Sequence, residues 1–201
     1  MVRFFTRSKD EVEPPEEAPE VYERNLWIGA RVIAGTTIMF FASFVFAYFY
    51  LRSLNNTNQW HPGGVDAPQA WGAVIVALFV ASAGLFVVAE RIARRHGSWL
   101  ALAGLSLALG LGGCVAQVLE WAHLDFGPQN GGYASVFIGW TALFVVFVLM
   151  TMFWLEITFA EGFRRRSDAA TFVPVGITDA AFYWSVLAAL GVISWVILYL
   201  L

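Results

Sequence analysis

Five long apolar stretches separated by short polar connections set the pattern of this chain, over residues 26–51, 70–89, 99–122, 133–159 and 179–201. Each is near or above the roughly 20 residues that a helix needs to cross a ~30 Å hydrocarbon core. A lone span in lipid must satisfy its own backbone hydrogen bonds, so the pattern predicts helices. The expected fold class is all-α: a polytopic membrane protein, a five-transmembrane-helix bundle over residues 25–201. Ahead of it, residues 1–24 form a charged stretch in which residues 1–23 hold seven acidic residues and three prolines. Low hydropathy with that charge predicts a disordered acidic tail, either a solvated tether or a docking segment for a partner. No apolar run precedes a small-residue site there, so no cleavable signal is expected.

Composition sharpens the class. Of 201 residues 59% are hydrophobic and only 13% are charged, more apolar surface than a soluble domain of this length can hide. The net charge of −3 says less than its placement. Arg3, Arg7, Lys9, Arg24 and Arg31 flank or enter the first span, Arg91, Arg94 and Arg95 lie in the second connection, and Arg164, Arg165 and Arg166 in the fourth. Arg52 is alone in the first connection, and the third connection and the C-terminus have no basic residue. Eleven of twelve basic residues thus fall on one side of an alternating topology. The positive-inside rule then puts the N-terminus in the cytoplasm and the C-terminus outside.

Small residues recur every four positions at Gly104, Ala108, Gly112 and Ala116, at Ala73, Ala77 and Ala81, and at Ala181, Ser185 and Ala189. Such ridges let helices approach closely in lipid, so the third and fifth helices are expected inside the bundle or at a subunit interface.

The polar residues exclude several chemistries. Cys114 is the only cysteine, so the chain makes no internal disulfide and carries no CxxC pair. His61, His96 and His123 fall in connections or at helix ends, where they cannot hold haem or copper within a bundle. No nucleophile–base set, phosphate loop or nucleic-acid patch is present, so no catalytic, metal or cofactor residue and no nucleic-acid partner is expected.

Gln117 and Glu120 lie three residues apart and share a helix face, with Trp121 at the boundary where an amphipathic ring belongs. An ionised carboxylate at a helix centre costs about 2.5–3.5 kcal/mol on insertion scales, and less near the end. Glu120 is therefore expected as an interfacial carboxylate tying the loop to the helix end, with Gln117 bonding across helices. A proton relay, or contact with a lipid headgroup or partner subunit, stays open. Glu90 beside Arg91, and Glu156 toward Arg164–Arg166, are expected in interfacial ion pairs. Arg31 is expected to snorkel from inside the first helix to the cytoplasmic surface. Trp60 anchors an external turn, and the aromatic run of residues 39–52 is expected to face lipid or pack between helices.

Six short pieces now line up in order: MFFASFVFAYFYLR at Met39–Arg52, WHPGG at Trp60–Gly64, AER at Ala89–Arg91, QVLEW at Gln117–Trp121, GGYASVF at Gly131–Phe137 and AAFYW at Ala180–Trp184. Over residues 25–201 the chain resembles the subunit III family of haem–copper respiratory oxidases in its short five-helix bacterial form. The resemblance implies a non-catalytic subunit of the aerobic respiratory chain in the bacterial plasma membrane. It would flank catalytic subunit I, which carries the haem and copper, bind no metal itself, hold phospholipid and sustain proton uptake.

By that resemblance Gln117, Glu120, Tyr133 and Trp184 are structural signature positions. Arg31, Trp60, Glu90, Trp121 and Tyr183 join them as candidates for lipid or subunit contact. The chain also departs from the family's pattern. Thr37 stands where the family has a buried glutamate, Phe144 and Phe147 stand near two expected histidines, and Ser185 and Ala188 replace a histidine and an aspartate. Such a joint loss implies that apolar packing has replaced a buried polar network. Two other functions remain: a related accessory protein of nitric oxide reductase, and a small transporter or channel. The latter calls for broken helices or charges at mid-bilayer.

Overall fold

The computed structural model describes residues 18–55, 60–63, 65–165 and 173–201. The remainder, including residues 1–17 of the expected tail, Gly64 and Arg166, lies outside the described residues. Five helices, each long and apolar enough to cross a membrane, run over Pro19–Ser53 (α1), Gln69–Arg94 (α2), Leu100–Ala122 (α3), Gly132–Arg164 (α4) and Ile177–Trp195 (α5). A π-helical turn, Val196–Leu200, continues α5, and a 3-10 turn, Pro128–Asn130, precedes α4.

α1 starts at Pro19, well ahead of its apolar run, so Glu20, Glu23 and Arg24 are helical rather than part of the tail expected over residues 1–24. Proline suits a first helical turn because its missing N–H has no intrahelical partner there, and Glu20 complements the helix dipole. At 35 residues α1 is roughly 52 Å long, longer than a hydrocarbon core is thick. α2 and α4 likewise outrun their apolar stretches and end on Arg91, Arg94 and Arg164, cations suited to a helix C-terminus. α5 opens after Gly176, whose φ of 84° favours a residue without Cβ, and carries Asp179 in its first turn.

α2 packs most extensively, on α3 and on α5, while α3 meets α4, and α1 lies against α5 and α4. Half of the α5 span is buried but only 22% of the α1 span, so α5 is central and α1 peripheral. In mid-bundle, the Ser82 and Ser106 hydroxyls donate to each other's backbone carbonyls at 2.7 and 2.8 Å, and the Trp184 indole donates to Ser82 Oγ at 3.1 Å. Neutral short side chains thus close the α2–α3–α5 contact with hydrogen bonds that lipid cannot compete for.

Phe144 and Phe147 set their rings 5.6 and 5.4 Å from Phe41, and Ala188 is buried. These positions hold apolar packing. Thr37 donates to the Ile33 carbonyl at 2.8 Å and lies 3.1 Å from the Tyr183 hydroxyl, and Ser185 bonds back to the Ala181 carbonyl.

The small-residue ridges differ from expectation. The buried face of α3 runs through Ala103, Ser106, Gly110, Gly113, Gln117 and Glu120. Ala108 is instead exposed and Gly112 has open space where a Cβ would go; only Gly104, against Phe159, and Ala116 touch the bundle. Ala77, Ala81 and Ala189 are exposed too. A step of four residues turns a helix by about 400°, so such a ridge drifts roughly 40° per step and leaves the face within three. Alternating steps of three and four stay on it.

Gly113 sits against the Phe79 ring, where a Cβ would collide. Gly113→Val should therefore lower stability in detergent by about 1–3 kcal/mol through overpacking. Gly112→Val should change it by no more than about 0.5 kcal/mol. Thermal unfolding of the two variants side by side checks the register, and equal effects would contradict it.

Candidate functional site: a carboxylate buried at one end of the bundle

α3 carries Glu120 twenty residues beyond Leu100, roughly 30 Å along the helix, to the end of the bundle opposite Arg91, Arg94 and Arg164. Although it lies in the last turn, Glu120 is 0% exposed. Gln117, one turn back on the same face, donates its Nε2 to Oε2. The Tyr199 hydroxyl stands 2.9 Å from Oε1 and 2.8 Å from Oε2, so its one proton is shared across the carboxylate.

Tyr199 reaches Glu120 from the π-helical turn that ends α5. Such a turn inserts an extra residue into the helical repeat and re-aims the side chains beyond it. Carbonyls of this last turn have no intrahelical donor and are taken up by side chains: the Tyr133 hydroxyl donates to Leu198 O at 2.6 Å and Gln69 Nε2 to Tyr199 O at 3.2 Å. A Cβ at Gly72 would run into the Tyr199 ring, so α2 admits the tyrosine only through a glycine. Phe137 packs edge-on against the same ring at 5.3 Å.

The first connection closes over this cluster. The Tyr133 backbone N–H donates to Trp60 O at 2.9 Å, and its ring packs on His61 at 4.9 Å. Trp60 is buried, edge-on to Tyr48 at 5.2 Å, with Gly132 giving its ring room. Trp121 lies beside the cluster rather than in it, and its indole donates to Thr141 Oγ1 at 3.0 Å, joining α3 to α4.

Glu120 stands at the helix end as expected but is closed off within the bundle, its carboxylate bonded by Gln117 and by Tyr199 of the C-terminal turn. Gln117 bonds Glu120 along α3, and its side chain also meets Tyr199 across elements.

The remaining candidates lie elsewhere. Arg31 reaches back toward the N-terminal end of α1 and is paired there: its Nη1 donates to Asp179 Oδ1 and to Trp27 O, each at 2.9 Å. Its guanidinium lies 3.9 Å over the Trp27 ring and 4.7 Å from that of Phe182. Packing α1 on α5 brings the acid and the cation together. Glu90 is buried; its Oε1 accepts from Thr178 at 3.0 Å and meets Arg94 Nη1 at 3.5 Å, so its ionic partner is Arg94 rather than neighbouring Arg91. Residues four apart share a helix face and adjacent ones do not. Glu156 lies exposed on α4. Tyr183 meets Thr37 and Trp184 meets Ser82 within the bundle.

Trp60, Gln117, Glu120 and Tyr133 therefore converge at one end, Arg31 and Glu90 belong to the other, and Tyr183 and Trp184 lie between. Sequence reasoning missed Tyr199, Gln69 and Gly72, which no local pattern links, and Asp179, whose place in a helix's first turn was a usable signal. Among the described residues no group of three or more histidine, cysteine or acidic side chains could hold a metal ion.

No family profile and no curated protein matches this chain.

Tyr199→Phe removes one of the two donors to a buried carboxylate and leaves only Gln117, so it should lower stability by about 1.5–3 kcal/mol. Combined with Glu120→Gln, the loss should fall short of the sum by about 0.5–3 kcal/mol, as coupled partners require. Denaturant titration of the two single variants and the double variant measures this. Strict additivity would show that the contact contributes nothing.

Proposed function

We propose that this chain is a non-catalytic membrane subunit of the subunit III kind in a haem–copper terminal oxidase. It braces catalytic subunit I, holds phospholipid and supports proton uptake. The observation that carries this reading is the convergence of WHPGG, QVLEW and GGYASVF, three separate stretches behind the resemblance, on one cluster through Trp60, Gln117, Glu120 and Tyr133. That cluster joins helices through hydrogen bonds and ring packing, the work of a brace.

Haem and copper belong to the partner subunits in this reading. The end bearing Arg94, Arg95, Arg164 and Arg165 faces the cytoplasm of a bacterial cell, the Glu120 end lies outside, and the bundle sits in the plasma membrane. The placement of charge favours a brace over a transporter. Arg31, Glu90, Asp179 and Glu120 lie at the two ends of the bundle, whereas mid-span is held by the neutral pair Ser82 and Ser106. A transporter places charges and broken helices near the midplane.

The test is a mild-detergent pull-down through a tag on the N-terminal segment, followed by a reduced-minus-oxidised spectrum. Co-purified haem with cyanide-sensitive oxygen consumption is the expected result. Haem with nitric oxide reductase activity would assign the chain to that complex instead, and a colourless, solitary chain would sink the proposal. In the intact complex Glu120→Ala should lower the yield of assembled partner and retained lipid. It should leave the haem spectrum unchanged, because the carboxylate lies within this chain's own bundle.

A further inference from the structure

We infer that the bundle contains an ordered-water site beside the Glu120 cluster, held by Trp195, Ser194 and Thr141. This inference is independent of the oxidase reading. A partly open cleft with about 30 Å³ of room for water lies where α2, α3, α4 and α5 meet, bordered by Gln117 and Tyr199 and lined mostly by buried residues. A water needs about 10–15 Å³ of such space and two to four polar partners. The volume therefore admits one water and no more than two.

The hydrogen-bonding capacity left on the lining residues identifies the occupant. Trp195 Nε1 is a buried donor with no acceptor among the described residues. Ser194 Oγ accepts from the Trp140 indole at 3.0 Å and donates to Leu190 O at 2.7 Å, which leaves it one lone pair. Thr141 Oγ1 accepts from the Trp121 indole at 3.0 Å and donates to Phe137 O at 2.8 Å, and it too keeps one lone pair. On Trp195, Ser194 and Thr141 together, one donor and two acceptor positions remain. A water satisfies all three, accepting from Trp195 and donating to Ser194 and Thr141.

Other occupants fit less well. A cation would meet the positive end of the indole N–H. An apolar molecule would leave a buried donor unpaired, which native interiors avoid. Phe79 and Phe144 close the side toward mid-bundle, so the polar partners lie together on the Glu120 side. The water would tie α5 to α4 next to the point where Tyr199 ties α5 to α3.

The test is water-edited solid-state NMR on the full chain, labelled with ¹⁵N at the tryptophan indoles and reconstituted in lipid bilayers. Trp195 is assigned by sequential correlation, which needs no variant. Rapid magnetisation transfer from water to the Trp195 indole is expected, with little to Trp184, whose indole bonds to Ser82. A Trp195 signal as dry as that of Trp184 overturns the inference. Ser194→Ala with Thr141→Val removes both acceptors and should cut the Trp195 transfer several-fold. Unchanged transfer in that double variant would place the water outside the cavity and also overturn the site.

Discussion

A carboxylate with no solvent exposure must find its hydrogen bonds inside the protein, and most of one end of this bundle is arranged to supply them to Glu120. Gln117 costs nothing to place, since a residue one turn away on the same face is already in reach. Tyr199 is the demanding partner. Its hydroxyl reaches the carboxylate from the π turn that ends α5, and Tyr133 and Gln69 satisfy carbonyls of that last turn which have no intrahelical donor. Its ring fits only because α2 offers Gly72. One ionisable group thus fixes side chains on four elements, and removing a single partner leaves the others answering a need that no longer exists.

The opposite end solves a similar problem with full charges. Arg31 and Asp179 pair across α1 and α5, with the guanidinium also stacked on Trp27 and Phe182, so the cation is packed as well as neutralised. Glu90 shares its oxygen between Thr178 and Arg94. Between the two ends the bundle relies on neutral serines and on rings, where Phe41, Phe144 and Phe147 pack together. This gradation follows from the dielectric. Charges close to water lose little solvation, and groups at mid-span are best kept neutral or apolar.

The helices were legible in the sequence because length and hydropathy suffice to define a span, and the shared face of Gln117 and Glu120 came from a spacing of three. Everything that depends on a second element escaped. The choice of Gly110 and Gly113 over Gly112 for packing is a matter of helix rotation, which the drift of an i, i+4 ridge obscures. Tyr199 sits in an apolar run with nothing local to tell a buried donor from a boundary aromatic. The burial of Glu120 depends on a terminal turn packed beside it, and distance along its own helix could not reveal that. The partner of Arg31 was hidden for the same reason: Asp179 comes from the far end of the chain.

The geometry around Glu120 bears on what a buried acid is for. A relay carboxylate needs a protonatable or hydrated neighbour on each side, so that a proton can arrive and leave. Glu120 commits both oxygens to donors within the bundle, and its hydroxyl partner belongs to a ring wedged between Gly72 and Phe137. Toward mid-bundle the adjoining space ends on Phe79 and Phe144, rings that neither accept nor pass a proton. Holding α3, α4 and the end of α5 together is a task the arrangement meets in full, and conduction inward is one it opposes.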